Sequence, residues 1–445
     1  MRLSADCHGK HPVTKRKVTG GASGEGLGGE IGMQDTTQSK PPTPGAVPVR
    51  QRPRNHLLHR RFPTLPLMRK AARKKLPHFA FEYLDGGAGE DSGIARNWRA
   101  LDAVEVFPRY GVSKELPAIE TELFGRRYAG PIGVAPMGSP SLGFPGADRH
   151  LAAAAQTAGF PYTLSAVGGM TIEDAGKVAP DVLWFQLPRL SLDNHRIGLD
   201  MARRAEEAGA HVLVLTMDTP TRTTRPREVQ SGITSPFKPD LRMMASIVSS
   251  PAWFAAMRKY GVPRLESFRR YAPNASLGEM TEFVRKNALG AFTWEEVAMY
   301  RDRWKRPLVV KGIMHPRDAE RAIALGCDGI VVSTHGGRQV DLLPAPIDAL
   351  PAIVAQVKGR ATVIMDSGVR SGSDVVRAVA LGANAAFVGK AFMWSLGALG
   401  PDGPLHAMDI LIDETRAALG QIGALTVQEA RTAEIRHPGA YSFRE

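Results

Sequence analysis

The residues of this chain best suited to chemistry sit at the ends of short apolar runs. One run ends Ser333-Thr334-His335-Gly336-Gly337-Arg338 and another Thr216-Met217-Asp218-Thr219-Pro220. A carboxylate beside an imidazole fixes its tautomer and stabilises the imidazolium, so His335 with Asp218 suits a proton-abstracting base. Arg338 and Arg225 have the forked geometry that grips a carboxylate bidentately. Lys311 ends the apolar run Leu308–Gly312 and, if buried there, needs an anionic partner. Ser371-Gly372-Ser373-Asp374 reads as a helix start whose amides and dipole face an anion, with Arg370 and Lys390 adding charge. Singly, each has a plain reading: a turn histidine, solvated arginines, a glycine turn. Six polar run-ends in one chain make a site.

The elements that must position these groups follow from the runs themselves. Eight are rich in Val, Ile, Leu or Phe: Pro131–Pro136, Pro161–Ala166, Leu183–Leu187, His211–Asp218, Leu308–Gly312, Gly329–Thr334, Thr362–Gly368 and Ala385–Lys390. Between them lie segments with helical spacing, among them Arg149–Ala158, Ile197–Ala208, Pro316–Leu325, Ile347–Val357 and Ser373–Leu381. Strands apolar on both faces and alternating with helices predict a parallel (β/α)8 barrel, in which function collects at the carboxyl ends of the strands. An open doubly wound sheet would want a G-x-G-x-x-G after its first strand, and none is there.

Leu65–Leu84 has helical spacing and predicts an N-terminal helical extension. Residues 233–300 interrupt the alternation after the fourth run, far beyond an ordinary connection. They contain the apolar stretch Leu241–Met257 and a basic stretch around Arg264–Arg270. A lid over the site and contact with a membrane surface are the two readings of this insert.

Composition narrows the class further. The chain has 445 residues, is 43% hydrophobic and carries a formal charge of +13. Of its 57 Lys and Arg, 16 lie in residues 1–75 against only 4 of the 44 Asp and Glu. The remainder is nearly neutral, which removes the case for a nucleic-acid face on the folded part. Residues 1–60 are rich in glycine and proline and cannot bury enough apolar surface to offset chain entropy, so a disordered basic tail is expected. Cys7 and Cys327 match no metal or redox spacing, so neither a disulfide scaffold nor a metal site is expected. No apolar run reaches the length of a spanning helix. A cytoplasmic protein, in peripheral contact with the inner membrane face at most, is the expectation.

From about Leu65 to Ala430 the chain resembles the FMN-dependent 2-hydroxy-acid oxidase and dehydrogenase family. The matching stretches include Phe81-Glu82-Tyr83, Val134-Ala135-Pro136, Phe185-Gln186-Leu187, Thr216–Pro220, Val310-Lys311-Gly312, Ser333–Asp341 and Asp366–Asp374. The resemblance implies FMN as cofactor, a small 2-hydroxy acid as substrate, a quinone or O2 as electron acceptor, and a homotetramer. It implies His335 as base with Asp218 as partner, and Arg338, Arg225 and Tyr83 on the substrate carboxylate. Ala135, Pro136, Met137, Ser165, Gln186, Thr216 and Ser333 would hold the flavin ring, with Lys311 at its N1–O2 edge. Asp366, Ser367, Gly368, Arg370, Gly389 and Lys390 would hold the ribityl phosphate. Arg227-Glu228 is an alternative match for the segment placed here on Arg225.

Several positions depart from the family pattern. Pro188 stands where a tyrosine is usual, Lys390 where arginine is frequent, Thr334 for a common asparagine and Ser367 for a common glycine. Gly138 stands where many oxidases carry alanine, which resembles the dehydrogenases and favours a carrier over O2. A related barrel chemistry built on a nucleophilic cysteine is a poor fit, because Cys327 precedes its strand and so lies at the wrong end of the barrel.

Overall fold

The computed structural model describes residues 47, 55–112, 115–221, 223–233, 240–288 and 290–443. Most of the glycine- and proline-rich segment read as a tail, with Cys7, lies outside these residues.

Eight parallel strands close a barrel: β1 Ile132–Val134, β2 Tyr162–Ser165, β3 Leu183–Leu187, β4 Leu213–Thr216, β5 Leu308–Ile313, β6 Gly329–Val332, β7 Thr362–Met365 and β8 Ala385–Val388. Each lies within or against one expected run, and the chemically suggestive residues mostly follow the last paired residue. Nearly every strand residue is buried, because side chains alternate between the barrel interior and the helical ring. The floor is closed by the hairpin Thr121–Leu123/Arg126–Tyr128. Its turn residues Phe124 and Gly125 take φ 53° and 75°, as a two-residue hairpin turn requires. Phe124 packs 5.5 Å from Trp184, whose Nε1 donates to the Tyr128 hydroxyl at 3.1 Å. The carboxyl ends of the strands stay open.

Helices α1 Leu65–Lys75, α2 His78–Asp85 and α3 Ser92–Ala103 precede the barrel. The single stretch expected over Leu65–Leu84 divides because Leu76, ahead of Pro77, is forced to extended backbone (φ −85°, ψ 151°). Between β4 and β5 run α4 Pro226–Gln230, α5 Leu241–Val248, α6 Pro251–Tyr260, α7 Leu277–Asn287 and α8 Trp294–Arg303. The apolar stretch expected over Leu241–Met257 breaks at Ser250-Pro251 into α5 and α6. Trp253 anchors α6: its ring lies 5.6 Å from Phe79, and its Nε1 donates to Gly143 O at 3.2 Å. Phe268 and Ser267 are fully buried, so the basic stretch around them is docked on the barrel and not a free arm.

After β7 and β8 come α9 Gly372–Ala380 and α10 Lys390–Leu399. Helix α10 approaches α1 so closely that a Cβ on Gly397 would stand 2.6 Å from Leu76 Cδ1. Glycine there lets the N-terminal helices close one wall of the barrel mouth.

Candidate active site

A cavity at the carboxyl ends of the strands is lined by Tyr83, Ala135, Pro136, Met137, Gly138, Lys311, His335, Arg338, Asp366, Ser367, Gly368, Gly389 and Lys390. All of these but Gly138 are site residues expected from the sequence, and ten further residues complete the lining. His335 Nδ1 lies 2.9 Å from Asp218 Oδ1. Burial alone would raise the Asp218 carboxyl, but the charges of Lys311 and His335 outweigh it and hold the group at about 2. Asp218 fits because Gly312 follows Lys311 at φ 102°: a Cβ there would stand 2.5 Å from Asp218 Cβ. His335 itself has φ 55° and is followed by Gly336 and Gly337 at 68° and 70°. Three successive residues thus take left-handed backbone at the end of β6.

Lys311 is buried at the cavity floor. Its Nζ donates to Ser333 Oγ at 2.6 Å and pairs with Asp366 Oδ2 at 3.3 Å and Asp218 Oδ2 at 3.5 Å. Burial lowers its pKa, but the two carboxylates win and leave it raised, so it stays a cation. An ammonium kept charged beneath an apolar cavity suits a ligand ring that gains negative charge on reduction.

Of the two arginines expected to grip an anion, Arg338 after β6 lines the cavity, and Arg225 at the start of α4 does not. Arg338 Nη2 donates to Glu228 Oε1 at 2.7 Å, and Nη1 donates to Tyr83 O at 2.7 Å and Gly86 O at 2.8 Å. Arg225 Nε donates to Arg338 O at 3.0 Å and its Nη1 to Glu228 Oε1 at 3.2 Å. Tyr83 donates to Gly138 O at 2.6 Å, beneath the Arg338 guanidinium, which lies 5.2 Å from its ring centre. Arg227 points elsewhere: it pairs with Glu82, with Asp91 at 2.5 Å and with Asp85 at 3.1 Å. Of the two alternatives, Arg225 is the one beside Arg338.

Ser165, Gln186 and Thr216 do not line the cavity. They are buried at the ends of β2, β3 and β4 and satisfy one another, Ser165 Oγ donating to Gln186 Oε1 at 2.6 Å and Gln186 Nε2 to Thr216 Oγ1 at 2.8 Å. At the expected phosphate end, Asp366, Ser367, Gly368, Gly389 and Lys390 line the cavity and Arg370 does not. The start of α9 is capped from within: Gly372 N donates to Glu414 Oε2 at 2.7 Å and Asp374 N to Ser371 Oγ at 3.2 Å. Arg370 turns to Asp102 at 2.5 Å and Asp374 at 3.5 Å. The helix start that reaches the cavity is that of α10, with Gly389 at its N-cap and Lys390 lining the wall. Lys390 Nζ donates to Asp85 O and Gly86 O at 3.0 and 2.9 Å, and burial pushes its pKa well down.

The apolar wall of Ala135, Pro136, Met137 and Phe387 with Lys311 at one end and the α10 start at the other fits a flat ring carrying a phosphate. Sequence reasoning missed Ile94, Asn97, Trp98, Met393 and Trp394, which complete the wall from α3 and α10. No local pattern marks them. Glu228 was within reach, as an acid three residues after Arg225. Pro188 lies beyond β3 and off the cavity lining, and no described residue of 233–300 lines it either. Burial pushes the Cys327 thiol up to about 12, and it does not line this cavity.

A closed parallel barrel with these groups at its carboxyl face defines a flavin-dependent oxidoreductase. Residues 72–437 match the profile of the FMN-dependent dehydrogenase family, and the chain belongs to that family. It is 36% identical to the L-lactate dehydrogenase of Pectobacterium atrosepticum over 81% of this chain and 93% of that protein. It is 36% identical to the L-lactate dehydrogenase of Alcaligenes faecalis over 79% of this chain and 92% of the other. Among solved structures, the monotopic membrane protein (S)-mandelate dehydrogenase superposes with a TM-score of 0.80 at 31% identity, covering 84% of this chain and 99% of that one. A mandelate oxidase superposes at 0.72 with 34% identity over 84% and 99%. The protein is thus an FMN-dependent hydroxy-acid oxidoreductase with a (β/α)8 barrel.

Proposed function

We propose that the chain oxidises a small L-2-hydroxy acid to the 2-oxo acid, and that the reduced cofactor passes its electrons to a quinone or another carrier in preference to O2. The observation that carries the reading is the His335–Asp218 pair opening on a cavity whose rim holds Arg338 and Tyr83. Arg338 and Arg225 hold the substrate carboxylate and so aim the hydroxyl-bearing carbon at the cavity. His335 takes one proton from the substrate, and Asp218 steadies the positive ring that results. Lys311 keeps a fixed positive charge at the cavity floor. FMN, when bound, accepts the two electrons. Ala135, Pro136 and Met137 would pack on the ring, and Gly368, Gly389 and Lys390 would hold the phosphate. The test is anaerobic bleaching of the FMN-loaded protein by a panel of L-2-hydroxy acids. Bleaching by none of them would overturn the reading.

Membrane contact belongs to the same proposal. Leu241 and Val248 are 88% and 71% exposed on α5, with Met244 and Phe254 exposed near them. Arg242, Arg258 and Lys259 are exposed on the same two helices. Apolar side chains flanked by cations suit an anionic bilayer surface, and among the described residues no helix is long and apolar enough to cross one. Docking there, at the inner face, would bring the site near a lipid-soluble quinone. Co-sedimentation with anionic vesicles, lost in Leu241→Asp/Val248→Asp, is the expected result; equal sedimentation of both proteins would overturn it.

A further inference from the structure

We propose that Ser367 is a positioning residue that sets the orientation of His335, an inference that rests on His335 being the base. Ser367 has φ 75°, a conformation costly for a residue with a Cβ, at a position where the family resemblance calls for glycine. Such a residue persists where its contacts over-determine it, and here they do. Its Oγ accepts from Thr334 N at 3.2 Å and from Gly336 N at 2.9 Å, and donates to Asp366 Oδ1 at 2.8 Å. One donor and two acceptors exhaust a hydroxyl's capacity.

The two amides it receives bracket His335. The His335 amide donates to Ser333 Oγ at 3.0 Å. Three successive amides therefore end on two buried serine hydroxyls, in a loop that Gly336 and Gly337 would otherwise leave free to swing. The side chain is tied through the same residues. Asp366 Oδ2 faces Lys311 Nζ at 3.3 Å, Lys311 faces Asp218 Oδ2 at 3.5 Å, and Asp218 Oδ1 lies 2.9 Å from His335 Nδ1. Ser367 thus closes a ring of contacts that fixes the backbone of His335 on one side and its imidazole on the other. Glycine would relieve the backbone and release both amides. Alanine would keep the strain and release them as well.

The test compares Ser367→Gly and Ser367→Ala in the full-length, FMN-loaded protein. At saturating hydroxy acid, flavin reduction falls about 10- to 100-fold in both, the scale expected for a misaligned base. The substrate half-saturation stays close to wild type. Thermal stability separates the variants: Ser367→Gly melts at or above the wild-type temperature, and Ser367→Ala below it. The downfield NMR resonance of the proton between His335 and Asp218 moves or broadens in both. A Ser367→Gly protein with wild-type reduction rate and an unmoved resonance would overturn the proposal. So would one in which rate and melting temperature fall together, the pattern of a purely structural residue. If the wild type is reduced by no hydroxy acid, the proposed function fails, and the resonance and melting temperatures still decide for or against Ser367.

Discussion

The carboxylate of Asp218 is shared between the His335 imidazole, 2.9 Å from one oxygen, and the Lys311 ammonium, 3.5 Å from the other. Charge placed there can follow the imidazole as it gains a proton. Replacing His335 with Ala removes the proton acceptor, and flavin reduction by a hydroxy acid falls about 10²- to 10⁴-fold. Stopped-flow absorbance checks this, with FMN content measured alongside to show that the cofactor is still bound.

Gly312 supplies the space for that carboxylate. In Gly312→Ala, the added carbon meets Asp218 Cβ at 2.5 Å on a backbone whose φ of 102° disfavours any side chain. Asp218 moves off His335, and reduction slows by about tenfold or more with little change in FMN binding. Equal rates in variant and wild type would show that the contact tolerates the methyl.

Acid stability reports the same group. Asp218 is held at about 2, below the 3.8 of a free side chain. Its ionised form binds tighter to the fold, so the stabilisation is complete above pH ~4 and is lost as pH falls toward ~2. Asp218→Asn lacks this contribution, and its stability falls less steeply across that window. Urea titrations at stepped pH measure the slope. Parallel acid limbs for the two proteins would contradict the assignment.

Arg227 holds the five-residue α4 against three carboxylates, and α4 buries none of its own residues. So short a helix does not persist on its own. Arg227→Ala takes from Glu82 its arginine partner, while Asp85 keeps Arg69 and Trp394, and costs about 2 kcal/mol. Arg225 and Glu228 lose their placement, so half-saturation by hydroxy acid rises about tenfold while reduction at saturation changes less. Steady-state kinetics separates the two. Arg227→Lys recovers part of the loss.

The barrel was legible because its strands are apolar on both faces, and each of the eight runs became a strand. Residues at the strand ends were legible for the same reason: polar groups have no other place in such a run. The capping of α9 by Glu414 was not, since the partner lies 42 residues away and nothing local announces it. Arg370 reads as a phosphate ligand in sequence, yet it finds Asp102 from α3 across 268 residues. Trp98 joins the wall with no motif around it. Even Ser367, visible as a departure from glycine, shows its three bonds only when β6 and β7 stand side by side.

Lys390 donates to the carbonyl of Asp85, 305 residues earlier in the chain. The cavity wall is therefore assembled from helices ahead of the barrel and from its eighth strand. While translation is under way, Tyr83, Asn97 and Trp98 wait without the α10 start that completes the opposite side. The wall is in that sense a feature of the completed barrel. A nascent chain arrested before β8 lacks the residues that face Asp85.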